Sequence, residues 1–241
     1  MRPVSKGTSP LGGFAKYEDA KPELLSRLGH FCSYCERRIA TNLAVEHIQP
    51  KGLPQYAGLE TTWDNFLLAC VNCNSTKGDK DVLLDQHYLP DRDNTAAAFN
   101  YLPDGTVHPQ PNDVIGARTL ALTGLDQEIR EVFDENGKQV AMDRASDRMV
   151  VWGIALETKA DFDATKISVE AIVRTAMGHG FFSIWMKVFE GYAAVRQMLI
   201  DGFGVGLQFR GFAGTAKGCF NAKTLPISPR PNNGLRGAGK I

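Results

Sequence analysis

Two Cys-x-x-Cys pairs, Cys32/Cys35 and Cys70/Cys73, carry the plainest chemistry in this sequence. Each pair can place two thiolates on one ion, and together they supply the tetrahedral four-sulfur set that structural Zn2+ prefers. The insert between them, Glu36 to Ala69, is 34 residues long, more than a simple zinc ribbon needs, and it holds Glu46, His47 and Asn65. Asn74 follows the last cysteine directly, and Lys77 comes three residues later. A carboxylate, an imidazole and carboxamides close to a sulfur-clamped ion are the materials of metal-assisted hydrolysis.

The elements that must position these groups are short. Lys21–Leu28 predicts a helix, with Pro22 in its first turn, Leu24, Leu25 and Leu28 on one face and Gly29 as its stop. Leu43–Ile48 reads as a β-prone run, Pro50 to Gly58 as a loop, and Phe66–Ala69 as a second, buried strand. Asn72 to Lys80 opens a short helix. Two strands and a helix give too small a core to stand alone, so the metal belongs to the folding energy.

Farther on, Asp104-Gly105 predicts a hairpin turn, and Val114 to Leu122 a helix ending near Gly124. The C-terminal half reads as mainly helical: Val169, Ile172, Val173 and Ala176 form one apolar stripe, and Trp185 to Leu199 a longer one. Gly178-His-Gly180 separates them, and Gly191 is placed to break the second. His87 and His108 have no partner at metal-ligand spacing and read as structural. The fold class is α+β, with a core that holds the four cysteines in residues 1–110 and a mainly helical region in 111–241.

Composition restricts the function classes. No apolar run approaches the roughly 18 residues that span a bilayer, and the opening MRPVSKGTSPLGG lacks a signal peptide's apolar core. The expected setting is a reducing, cytoplasmic one, where paired cysteines bind metal rather than form disulfides and the Asn74-Ser75-Thr76 sequon is not a glycan acceptor. Net charge is zero over 241 residues, but from Gly202 onward Arg210, Lys217, Lys223, Arg230, Arg236 and Lys240 stand without any Asp or Glu. This basic, Gly-rich tail can contact phosphates or simply be solvated, and its end reads as flexible. Its glycines match neither a dinucleotide nor a P-loop fingerprint.

As a combination, Cys-x-x-Cys, Val45-Glu-His-Ile-Gln-Pro50, Trp63-Asp-Asn65-Phe-Leu-Leu and Cys70-x-x-Cys-Asn74-x-x-Lys77-Gly78 resemble the HNH endonucleases, whose fold is called ββα-metal. The resemblance implies His47 as general base, Glu46 and Asn74 as oxygen ligands of one catalytic Mg2+ or Mn2+, and Asn65 orienting the loop and the imidazole. It implies a structural Zn2+ on Cys32, Cys35, Cys70 and Cys73, and lets Lys77 reach a substrate phosphate. In a strand Glu46 points away from His47, so sharing a site requires a local twist or bulge. Two positions depart from the pattern: Asn74 stands where His is frequent, and Glu46 where Asp is commoner. Asn74 could instead cap its helix.

A narrower resemblance, to the PtuB-like nucleases of Septu and retron anti-phage systems, rests on six runs: Met1-Arg-Pro-Val-Ser-Lys-Gly7, Cys32-Ser-Tyr-Cys-Glu36, Val45-Glu-His-Ile48, Trp63-Asp-Asn65, Cys73-Asn-x-x-Lys-Gly-Asp79 and Ala121-Leu-Thr-Gly-Leu-Asp126. It implies an antiviral effector that hydrolyses DNA, with RNA as another possible substrate, and an ATPase partner subunit. Two other function classes fit the same residues, a non-catalytic zinc module binding nucleic acid and an adaptor subunit of a larger complex.

Overall fold

The computed structural model describes residues 1–126, 144–202, 211–227 and 229, and the backbone of 132–133 and 139–141. The first α-helix is α1, Lys21–Leu28, which has Pro22 in its first turn and ends at Gly29. Strand β1, Ala44–His47, pairs antiparallel with β2, Phe66–Ala69. The register runs without a bulge from Ala44↔Ala69 to His47↔Phe66. All four residues of β2 are buried, against α1 among other neighbours. Helix α2, Val71–Lys77, follows directly and completes the ββα unit.

Beyond it lie α3, Thr95–Ala98, and the hairpin of β3, Phe99–Tyr101, with β4, Val107–Pro109, turning through Asp104 and Gly105. Helix α4, Val114–Thr123, is capped by the Asp113 carboxylate and closed by Gly124 in the left-handed region. A second small pair joins β5, Val132–Phe133, to β6, Gln139–Ala141. The C-terminal region is helical: α5, Arg144–Asp163; α6, Val169–His179; α7, Phe182–Val188; and α8, Ala193–Asp201.

The stripe from Trp185 to Leu199 is two helices, α7 and α8, parted as expected at Gly191, which adopts φ +92°. One detail departs from the sequence expectation. Helix α5, at 20 residues, has no forerunner in the pattern reading, because Met149-Val-Val-Trp-Gly-Ile-Ala-Leu156 is a continuous apolar run with no periodicity to identify it. The flexibility expected of the tail falls mostly on residues outside the described set, as do Arg210, Arg230, Arg236 and Lys240.

One apolar cluster runs through both halves, from Leu24 and Phe66 to Trp185 and Phe212. Gly180 makes a tight junction between the halves. Its φ is +80°, and a Cβ there would stand 2.7 Å from both Arg38 N and Glu36 O. Next to it Phe181 N–H donates to Glu36 O at 2.9 Å. The Glu36 carboxylate accepts from Ser183 N and Oγ at the start of α7 and lies 3.2 Å from the Met1 amino group. The turn carrying the first cysteine pair is thereby bolted to the helical region.

Candidate active site

The four cysteine sulfurs converge. All are buried, none is in a disulfide, and one sulfur from each lies within 4.8 Å of the others. Cys35 Sγ and Cys70 Sγ are 3.7 Å apart, close to the roughly 3.8 Å edge of a tetrahedron with Zn–S bonds of about 2.3 Å. The first pair sits on a knuckle. Glu36 N–H donates to Cys32 O and Cys32 N–H to Arg37 O, both at 3.0 Å, while Glu36 takes φ +65°. Ser33 N–H donates to Leu68 O at 2.8 Å, tying the knuckle to β2. The second pair opens α2, with Cys70 as its N-cap residue.

Hydrogen bonds from Cys32, Cys35 and Cys73 hold the Cys70 thiol far below the ordinary range, while sharing with Cys32 first pushes Cys35 and Cys73 up. A dication bound there would favour the thiolate form of all four sulfurs. The buried Arg144 adds a further cation: Nη1 donates to Cys73 Sγ at 3.2 Å and to Thr123 O at 2.7 Å, and Nη2 to Gly124 O at 2.7 Å.

His47 ends β1 and is 8% exposed. Its Nε2 lies 2.8 Å from Glu60 O. A carbonyl can only accept, so Nε2 carries the hydrogen and the neutral ring keeps its lone pair on Nδ1. Tyr17 and Phe66 pack edge-on against the ring, with centroids at 4.9 and 5.2 Å. Burial lowers the imidazole pKa below its ordinary value; the Glu60 carbonyl opposes this and the nearby Lys51 and Lys77 add to it. Lys51 bridges the rim, 4.0 Å from the Tyr17 ring centroid and 2.9 Å from Glu60 Oε1.

Asn65 is fully buried and acts on the loop. Its Oδ1 accepts from Gln49 N and its Nδ2 donates to Gln49 O, each at 2.9 Å, with a longer 3.4 Å contact to Leu59 O. The carboxamide therefore pins both ends of the Gln49–Leu59 excursion. Its bonds go to the loop; the imidazole is held by the carbonyl of the next residue, Glu60.

Glu46 and His47 make their contacts in different directions, as consecutive residues of an unbulged strand must. Glu46 is 2% exposed and meets the equally buried Lys77, whose Nζ lies 2.8 Å from Oε1. The angles fall outside hydrogen-bonding range, so Oε1 has a charge partner but no hydrogen bond. Lys77 donates instead to His47 O at 2.8 Å. Burial raises the Glu46 pKa and Lys77 restrains the rise. The Lys77 ammonium thus faces inward, toward Glu46 and the β1 backbone.

Asn74 is half-buried in the second turn of α2, and Cys70 occupies the cap position that Asn74 could have taken. Its carboxamide makes no hydrogen bond among the described residues. The oxygens of Glu46 and Asn74 suit a hard divalent ion, and a buried carboxylate oxygen lacking a hydrogen bond fits a nearby cation. A ligand role for Glu46 also has to displace or share the Lys77 contact.

Sequence reasoning missed the Glu60 carbonyl, Tyr17, Lys51 and Arg144. A main-chain acceptor carries no residue signature, and Arg144 lies 71 positions from Cys73. Lys51, four residues after His47, offered the only local signal.

Residues 32–80 match the family model described as HNH endonuclease. The match includes both cysteine pairs and every candidate site residue, about a fifth of the chain. It supports the HNH family for this part, and with it nuclease activity that uses a divalent metal. No curated protein matches the chain.

Proposed function

We propose that the chain is a metal-dependent endonuclease that hydrolyses DNA phosphodiester bonds, with His47 as general base. The observation that carries this reading is the hydrogen bond from His47 Nε2 to Glu60 O, which leaves Nδ1 free to take a proton from water. The lowered pKa keeps that nitrogen unprotonated at neutral pH. Asn65 acts as a positioning residue by fixing the loop that presents the carbonyl. Glu46 and Asn74 would hold one Mg2+ or Mn2+, which supplies charge stabilisation for the leaving oxygen. Cys32, Cys35, Cys70 and Cys73 would hold Zn2+ in a closed, structural site.

Lys51, with its side chain 39% exposed at the rim, is available to a substrate phosphate as the structure stands. A phosphate contact by Lys77 requires its pairing with Glu46 to open. The likeness to anti-phage nucleases supports a role as a defence effector working with an ATPase subunit, since the chain has no nucleotide fingerprint of its own. Among the described residues no helix is long and apolar enough to cross a membrane.

The test is plasmid cleavage with Mg2+ or Mn2+, comparing wild type and His47→Ala at equal zinc content, with and without the ATPase partner. Metal-dependent cleavage by wild type, lowered at least 100-fold in the variant, is expected. Equal cleavage by both removes His47 from the chemistry. One observation favours a second reading, a non-catalytic zinc module binding nucleic acid: Lys77 already compensates Glu46, as it would in a domain that needs no ion there. On that reading neither protein cleaves under any of these conditions, and both bind DNA.

A further inference from the structure

Arg196, in the first turn of α8, is 5% exposed, and its guanidinium forms no hydrogen bond or ion pair with any described residue, although the nearby Glu190 acts on it electrostatically. Its Nε is wholly buried without a partner. A buried guanidinium ordinarily sits on a carboxylate or a set of carbonyls, because an uncompensated charge is costly away from water. Arg144 and Arg2 in this same chain do so, each with several acceptors. Arg196 does not.

It lines a cleft of about 350 Å3 between the β3–β4 hairpin, α7 and the residues Phe220, Leu225, Pro226, Ile227 and Pro229. The apolar walls are Phe99, Phe182, Met186 and Phe220. Two other charges reach the cleft, Lys187 and Glu190, and these pair with each other at 2.6 Å with both side chains about half exposed. With Arg196 counted, the three charges leave the cleft one net positive charge beside aromatic surface, and Arg196 is the one of the three without an ion-paired partner among the described residues. Its volume falls in the range of small-ligand sites, and guanidinium recognises phosphate and carboxylate in the same two-pronged way. Glu190 disfavours densely charged groups such as triphosphates.

We infer that this cleft is a binding site for a small aromatic anion, a nucleoside monophosphate or an aromatic carboxylate, with the anionic group on Arg196 and the ring against Phe99, Phe182 and Phe220. The site is separate from the ββα unit, and the inference stands whether or not the chain cleaves DNA.

The test is calorimetric titration of the full-length, zinc-loaded protein with adenosine monophosphate, benzoate, adenosine and inorganic phosphate, repeated on Arg196→Gln. Wild type is expected to bind one of the two aromatic anions more tightly than the neutral nucleoside. Arg196→Gln should weaken that binding roughly 10- to 100-fold, the worth of one charged hydrogen-bonded contact. Binding of the nucleotide alone assigns the site to phosphate, and of benzoate alone to carboxylate. Binding of neither, or equal binding by Arg196→Gln, overturns the inference. Arg196→Met adds a readout independent of any ligand. A charge kept unpaired for an incoming anion costs stability, so the apo variant should melt higher than wild type. A lower melting temperature would make Arg196 a structural residue and overturn the inference.

Discussion

Lys77→Met tests how the buried Glu46 carboxylate is compensated. The substitution keeps the side chain's apolar stem and removes its ammonium, leaving a 2% exposed carboxylate without its partner at 2.8 Å. Remaining ionised would be costly, but the group has another course, which is to bind a proton. From its ordinary value of 4.5, protonation at pH 7 costs 2.5 × 1.36, about 3.4 kcal/mol, and this caps the electrostatic penalty. The lost hydrogen bond to His47 O adds about 1 kcal/mol. For a chain of this size the sum is a fall in melting temperature of roughly 10–15 °C. The sign with pH follows from linkage. An acid whose folded pKa is raised binds its proton preferentially in the folded state, so the penalty shrinks by about 1.4 kcal/mol per pH unit as pH falls from 7 toward 4.5. The assay is urea unfolding of zinc-loaded wild type and variant between pH 5 and 8, with and without Mg2+ or Mn2+. With no ammonium competing for the carboxylate, the divalent ion should stabilise the variant more than the wild type. A penalty independent of pH would refute the claim that Lys77 compensates Glu46, and equal stabilisation of both proteins would remove Glu46 from the ligand set.

Cleavage by wild type should hold its rate below the usual imidazole midpoint of 6.5 and decline only at lower pH, because burial lowers the His47 pKa against the opposing Glu60 carbonyl, with Lys51 and Lys77 adding to the fall. A pH–rate profile whose acid limb centres at or above 6.5 contradicts this. By linkage the unfolded chain binds the imidazole proton more readily, so this residue's share of stability is present above 6.5 and is lost as pH falls. Arg144→Met removes the charged contact to Cys73 Sγ and should weaken zinc retention roughly 10- to 100-fold in a chelator competition; unchanged retention would show that the thiolates do not need it. Asn65→Leu leaves the Gln49 N–H and C=O without their partners, at about 1–3 kcal/mol each. It should accelerate hydrogen exchange across residues 49–60 and reduce cleavage while zinc content stays constant. Exchange confined to its wild-type rate would mean that Asn65 does not hold the loop.

The cysteine pairs were legible in the sequence because four identical ligands at fixed spacing signal one shape. The strands and α2 were legible because a buried apolar run followed by a ligand-bearing turn leaves few alternatives. What the sequence could not show was which way each side chain settles. Lys77 reads as an exposed cation beside a polar motif, yet helical spacing places it one turn after Cys73, on the buried face. Asn65 was read as a loop and imidazole anchor; its bonds go to Gln49 and Leu59, so its effect on the ring passes through the Glu60 backbone. Helix α5 escaped because an unbroken apolar run has no period, and with it escaped Arg144, whose link to Cys73 depends on tertiary packing alone.

The two sides of the candidate site are held by different means. The imidazole depends on a loop pinned by one buried carboxamide, whereas Glu46 and Asn74 depend on β1 and on a seven-residue helix. A helix that short is unstable by itself. Its N-cap is Cys70 and its first turn carries Cys73, so a sulfur-bound ion would fix that end, and Arg144 ties Cys73 to the close of α4. At the first cysteine pair, Glu36 receives Ser183 while Gly180 admits the knuckle at a distance that excludes a Cβ. The helical C-terminal region therefore completes the support of a ββα unit whose own core is too small to hold it. A change at Arg144 or Gly180, far along the chain from His47, acts on the site through the sulfur clamp.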